Sequence, residues 1–112
     1  MKTNGKLNKS ITEYILDSYD EAMGGSFNGR TMEECFNICK VNTEQLYKDG
    51  ITFYDIFFCV TFGVEMGYPV DLGSLALLTL EPSNEEEMEV FGRKFREGLK
   101  RKYEQCKNDV LD

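Results

Sequence analysis

Four cysteines and several paired acids are the residues whose types and spacing could do chemistry. Cys35 and Cys39 stand four apart, so on a helix they share a face and could supply two ligands to a metal. Structural zinc takes four ligands, commonly from paired short-spaced motifs. This chain has no histidine, and Cys59 and Cys106 lie far apart on separate segments. All four thiols fall within apolar helical patterns, which reads as reduced cysteines in a core. Acid pairs such as Glu33/Glu34 suit general acid–base work in form. Without histidine, however, the usual near-neutral base is missing, and acids in a first helical turn are what the helix dipole favours. Gly24-Gly25 reads as a helix stop, not a phosphate-cradling loop. The sequence therefore predicts no enzyme, no metal site and no cofactor.

Charge carries more information. Ser10 to Pro82 holds twelve acids and three bases (Arg30, Lys40, Lys48), whereas Phe91 to Lys107 holds seven bases and two acids. On a helix Arg93, Arg96, Lys100 and Lys107 fall within about 60 degrees of one another, a stripe able to grip phosphates or an acidic surface. The bland alternative is a solvated face. Glu85, Glu86 and Glu87 crowd the first turn, bases fill the later ones, and Glu89–Arg93 and Glu97–Arg101 are i,i+4 pairs.

A second constellation is aromatic. Tyr54, Phe58 and Phe62 are successive i,i+4 neighbours beside Asp55, Thr61 and Glu65. Such a ridge is either an interface hot spot or one side of a central helix buried all round. The acids Glu33, Glu34 and Glu44 form a further candidate contact face.

Thr31 to Ile51, TMEECFNICKVNTEQLYKDGI, resembles the helix-turn-helix DNA-binding motif. The matching features are a Glu near the start, apolar Cys35 and Val41, a capping Asn42, and Leu46 and Tyr47 in the recognition position. The likeness covers about a fifth of the chain. It departs at Lys40, where the turn usually holds glycine, and Glu44, Lys48 and Asp49 bring little positive charge to phosphate.

These features must be carried on helices. Ser10–Glu13, Thr31–Glu34, Asn42–Gln45 and Ser83–Glu86 all match the capping box. Thr52–Asp55 is a fifth start. The segment 52–66 is rich in Phe, Val, Ile and Thr and could form a strand, but its length, its threonine cap and the Gly67-Tyr-Pro69 ending favour a helix. Phe53, Ile56, Val60, Gly63 and Val64 would be its core stripe. A further apolar helix is expected over 72–80. The last helix would run from 83 to about residue 108, weakened at Gly92 and Gly98 by about 1 kcal/mol each.

The fold expectation is thus all-α: a single compact domain of five or six helices over residues 10–112, with a long C-terminal helix and a flexible N-terminal tail, 1–9. That tail lacks an apolar signal region, and no apolar run reaches the roughly 20 residues of a membrane span. A cytoplasmic protein that does not enter membranes is expected. The net charge of −7 points to a protein partner with a basic surface. A homodimer is an alternative, and direct nucleic-acid binding ranks behind both. In size and acidity the chain is similar to small inhibitors encoded by phages and mobile elements, including anti-CRISPR proteins. The functional expectation is a non-enzymatic inhibitor of that counter-defence kind acting on a nucleic-acid-handling machine, with a helix-turn-helix regulator as the alternative.

Overall fold

The computed structural model describes residues 7–24, 27 and 29–111, with side chains from residue 11 onward. Six helices follow one another: α1 Leu7–Ala22, α2 Met32–Lys48, α3 Phe53–Glu65, α4 Val70–Leu78, α5 Glu85–Phe91 and α6 Arg93–Cys106. No strand occurs among the described residues; one isolated bridge joins Thr31 to Val110. The radius of gyration, 13.7 Å, matches the ~13 Å expected of one domain of this length.

Two helix starts are fixed locally, as their sequences predict. Thr31 Oγ1 accepts from Glu34 N (3.2 Å) while Glu34 Oε1 accepts from Thr31 N (2.8 Å). Thr52 and Asp55 repeat the exchange at 3.1 and 3.2 Å, so 52–66 is helical. The ends of α2 and α3 are also alike. Gly50 and Gly67 take positive φ, and the next amide reaches back to the helix: Ile51 N to Leu46 O (3.0 Å) and Tyr68 N to Gly63 O (2.7 Å). A left-handed glycine with that bond is the Schellman ending, which closes carbonyls the helix leaves open. Gly24, also at positive φ, follows α1; Gly25 lies outside the described residues.

Four expectations are corrected. Ser10 is not a cap, because α1 already begins at Leu7; of the expected tail, residues 1–6 lie outside the described residues. Asn42 does not open a helix either. It lies inside α2, which is continuous because Met32, Cys35, Cys39, Thr43 and Leu46 make one buried stripe across the expected turn. Residues 31–51 therefore do not form a helix-turn-helix. At the fifth helix the cap is Asn84, whose Oδ1 accepts from Glu87 N (2.8 Å), one residue later than expected. Lastly, the long C-terminal helix is two helices. Gly92 sits at φ +93° and ψ +108°, outside the helical region, so α5 stops at Phe91 and α6 spans 14 residues.

The centre of the fold is α4. Past its exposed first turn it is apolar but for Ser74, and Leu72, Gly73, Leu75, Ala76, Leu77 and Leu78 are all buried. It packs on α2, α3 and α6, while α1 packs on α2 and α3. Two glycines allow the close crossings. A Cβ on Gly73 would strike Val64 Cγ2 of α3, and one on Gly63 would lie 2.7 Å from Leu16 Cδ1 of α1. The core also holds a polar thread, the hydroxyls of Tyr19, Thr43 and Thr79, which joins α1, α2 and α4. The segment after α6 returns to the start of α2. Asp109 O accepts from Met32 N and Lys107 O from Glu33 N, both at 2.9 Å. With Thr31 capping Glu34, the first three amides of α2 are satisfied.

Candidate protein-binding surface

Because α4 occupies the centre, α3 is buried on one side only. Phe53, Ile56, Phe57 and Val60 face the core, and the opposite side meets solvent. Phe58 is 54% exposed and Phe62 55%, so neither is core; Tyr54 is half-buried. The Tyr54 ring stacks on Phe58 with centroids 6.5 Å apart and meets Phe53 edge-on at 5.5 Å. Burial of its ring, then the nearby carboxylates of Glu86 and Glu87, raise the Tyr54 phenol above its ordinary pKa.

The exposed apolar surface is larger than those three residues. Met66 follows Phe62 by four positions, and it and Val70 are more exposed than either phenylalanine. Phe95 of α6 is 47% exposed. Its ring touches Phe91 (5.9 Å), which touches Phe57 (5.2 Å), which touches Phe58 (5.4 Å). One aromatic chain thus runs from α3 to α6, buried at Phe57 and Phe91 and exposed at both ends. Between α3, α4 and α6 lies a groove of about 210 Å³ lined by Thr61, Val64, Val70, Leu77, Phe95 and Leu99, with Gly73 and Ser74 at its base. Met66 is legible in the sequence as the next i,i+4 step after Phe62. Val70 and Phe95 are not, because their exposure depends on how α4 and α6 dock.

The basic stripe is differently placed. Arg93 is ion-paired with Glu85, Lys107 lies 3.2 Å from Glu104, and Arg96 lies 3.1 Å from Glu81. The Arg96 side chain is only 12% exposed, and its guanidinium stands 5.9 Å over the Phe91 ring. Arg96 is therefore a packing residue that ties α6 to the α4–α5 connection, not the free surface charge its sequence position suggests. Lys100 is exposed with no ion pair among the described residues. The stripe is largely neutralised by the chain's own acids, and the structure does not bring it together as a free cationic face.

Glu33, Glu34 and Glu44 are exposed along α2. Glu34 is engaged in the cap, and Glu44 stands apart from the aromatic ridge on another helix. All four cysteines are free thiols. Cys35 and Cys39 are buried, Cys59 and Cys106 half-buried, and burial pushes the Cys39 thiol up to about 12. Among the described residues no cluster of three or more Cys, Asp or Glu could hold a metal ion. No described helix is long and apolar enough to cross a membrane. No protein-family model, curated protein or solved structure matches this chain.

Proposed function

We propose that this chain is a non-enzymatic binding protein that acts in the cytoplasm by occupying a surface of another protein, one with basic character. The observation that carries this reading is the solvent-facing row Phe58, Phe62 and Met66 on α3. Large apolar side chains more than half exposed in a row are expensive to leave in water and are typical of interface anchors. The charge around them supports the sign of the partner. From Asp49 to Gly92 the chain carries nine acids and no base, and only Glu81 and Glu85 of these are paired with arginines of α6. Such a surface steers toward cationic partners and away from nucleic acid itself. The basic grooves of nucleic-acid-handling machines have the matching chemistry, and we place the chain among inhibitors of such machines, in the manner of anti-CRISPR and other counter-defence proteins.

The test is a pull-down from bacterial lysate with and without nuclease, using the intact chain and Phe58→Ser/Phe62→Ser. A protein retained after nuclease treatment, and released in the cold by about 0.5 M salt, supports the reading. Capture of DNA that vanishes on nuclease treatment, or capture of nothing, refutes it.

A further inference from the structure

The socket beside the ridge has a shape that narrows the partner further. Its volume of about 210 Å³ falls below the roughly 300–1,000 Å³ of small-molecule sites, and its walls are aliphatic or aromatic apart from two small hydroxyls. Thr61, one of those two, turns its hydroxyl back to Phe57 O (2.9 Å) and Phe58 O (3.1 Å), so it presents its methyl side outward. The socket therefore suits one inserted apolar side chain. Thr61 also lies three residues after Phe58 and one before Phe62, so socket and ridge are adjoining parts of one surface. From Tyr54 to Met66 that surface extends about 18 Å along α3, or three helical turns.

Charge selects the occupant. The charged side chains of α3 and α4 are Asp55, Glu65 and Asp71, all acidic; Asp71 shares a neighbouring hollow with Lys102 of α6, and Glu86 and Glu87 stand beside Tyr54. Asp55 is bound to the Thr52 amide, whereas Glu65 and Asp71 have no ion pair among the described residues. A second copy docked through this same face would set these acids against their own kind. The fold already shows what fits. Its own α6 is a basic amphipathic helix whose Phe95 and Leu99 wall the socket, while Arg93 and Arg96 engage Glu85 and Glu81. Resting on the protein-partner reading above, we propose that the Phe58–Phe62–Met66 ridge and its socket receive the apolar face of a basic amphipathic helix of the partner. Apolar anchors at i, i+3/i+4 and i+7 enter along the ridge, and flanking Lys or Arg meet Glu65 and Asp71.

The probe is a labelled synthetic helix of about 18 residues of Leu and Lys with Leu at that spacing, followed by fluorescence anisotropy in about 150 mM salt. A Leu/Glu twin is the control. The intact chain is expected to bind the Leu/Lys helix and not the twin. Phe58→Ser/Phe62→Ser, with net charge unchanged, should bind at least about tenfold more weakly, with an unaltered helical spectrum. Glu65→Lys/Asp71→Lys, with the ridge intact, should weaken binding as well. Absence of binding, equal binding of the twin, or equal binding by the Phe58/Phe62 variant overturns the proposal, the last showing mere charge attraction. Sedimentation of the chain alone is the other arm: a dimer that the same variant abolishes gives the ridge to a second copy and also overturns it. The two readings fail separately. A lysate partner that the variant still captures removes this surface but leaves the partner standing; no partner at all removes both.

Discussion

The Tyr19 hydroxyl on α1 donates to the Thr43 hydroxyl on α2 across 2.6 Å, and its direction is fixed by a third residue. Thr79 on α4 donates its one hydroxyl hydrogen to Ala76 O at 2.5 Å. Its oxygen must then accept from Thr43, also 2.5 Å away, which leaves Thr43 free to accept only from Tyr19. Removing Thr43 therefore strands a buried donor, whereas removing the Tyr19 hydroxyl leaves only an unfilled acceptor. Thr43→Val is expected to cost about 1–3 kcal/mol and Tyr19→Phe about 1 or less. In the double variant the two losses should fall short of their sum. Urea denaturation reads all three, and additive losses would contradict the thread.

Asn42 offers a test of helix continuity. As a helix cap, its replacement by alanine would cost about 0.5–2 kcal/mol. In α2 it is an interior residue, and its buried Nδ2 has no hydrogen-bond partner among the described residues. Asn42→Ala is therefore expected to raise the urea midpoint, through better helix propensity and loss of an unsatisfied donor. A lowered midpoint would restore the turn at this position.

Two helical glycines should respond in opposite directions. Gly73→Ala drives a methyl into Val64 Cγ2, on a β-branched side chain with little rotamer freedom. A loss of about 1–3 kcal/mol is expected. Beyond its chain neighbours and its own helix backbone, no described atom lies within 4 Å of a would-be Cβ on Gly98, and Gly98→Ala should gain about 0.5–1 kcal/mol. Thermal melts of the pair would show the midpoint falling in one and rising in the other; movement in the same direction would refute the α3–α4 crossing.

Arg96 and Lys100 share the stripe but not the environment. Arg96→Glu loses the contact over Phe91 and puts a carboxylate beside Glu81. It should destabilise by about 1–3 kcal/mol. Lys100→Glu changes charge equally and should leave the denaturation midpoint in place. Equal effects would mean that Arg96 is no packing residue.

The pH profile follows from buried acids of high pKa. Burial, with a smaller push from Cys35, raises the Cys39 thiol from 9.0 to about 12, and burial raises the Tyr19 phenol in the same direction. The unfolded chain releases these protons first, so the folded state holds more protons in the alkaline range. Their stabilising contribution is complete below about pH 9 and is lost as pH rises toward 12. The urea midpoint should hold from about pH 7 to 8.5 and fall above about pH 9, and in Tyr19→Phe the fall beyond about pH 10 should be shallower. A midpoint flat to about pH 11 would refute this.

The legible parts of the fold were those decided within four residues. Thr31–Glu34 and Thr52–Asp55 close on themselves and need no distant partner. Asn42–Gln45 carries the same signature yet is overridden, because Thr43 and Leu46 continue a stripe that packing on α1 and α4 rewards. At Gly92 the sequence shows only a weak helix former. The break arises where Phe91 is buried and Arg96 is drawn to Glu81. The ridge was legible as a row of aromatics but not as a surface. Periodicity places Tyr54, Phe58 and Phe62 on one side of a helix and says nothing of which side meets water. That was settled by α4, whose run from Leu72 to Leu78 claims the centre and leaves α3 with one side outside.

The return of residues 107–111 to the start of α2 has a consequence for synthesis. Helix α3 packs on α1 and α4 without help from the segment after α6. The first two amides of α2 cannot be closed until Lys107 and Asp109 have emerged, about 75 residues later. The start of α2 is thus closed by residues far along the chain from it. Proteolytic clipping in that short segment would therefore be felt first not at the clipped end but as fraying at Met32, on a helix whose own sequence is untouched.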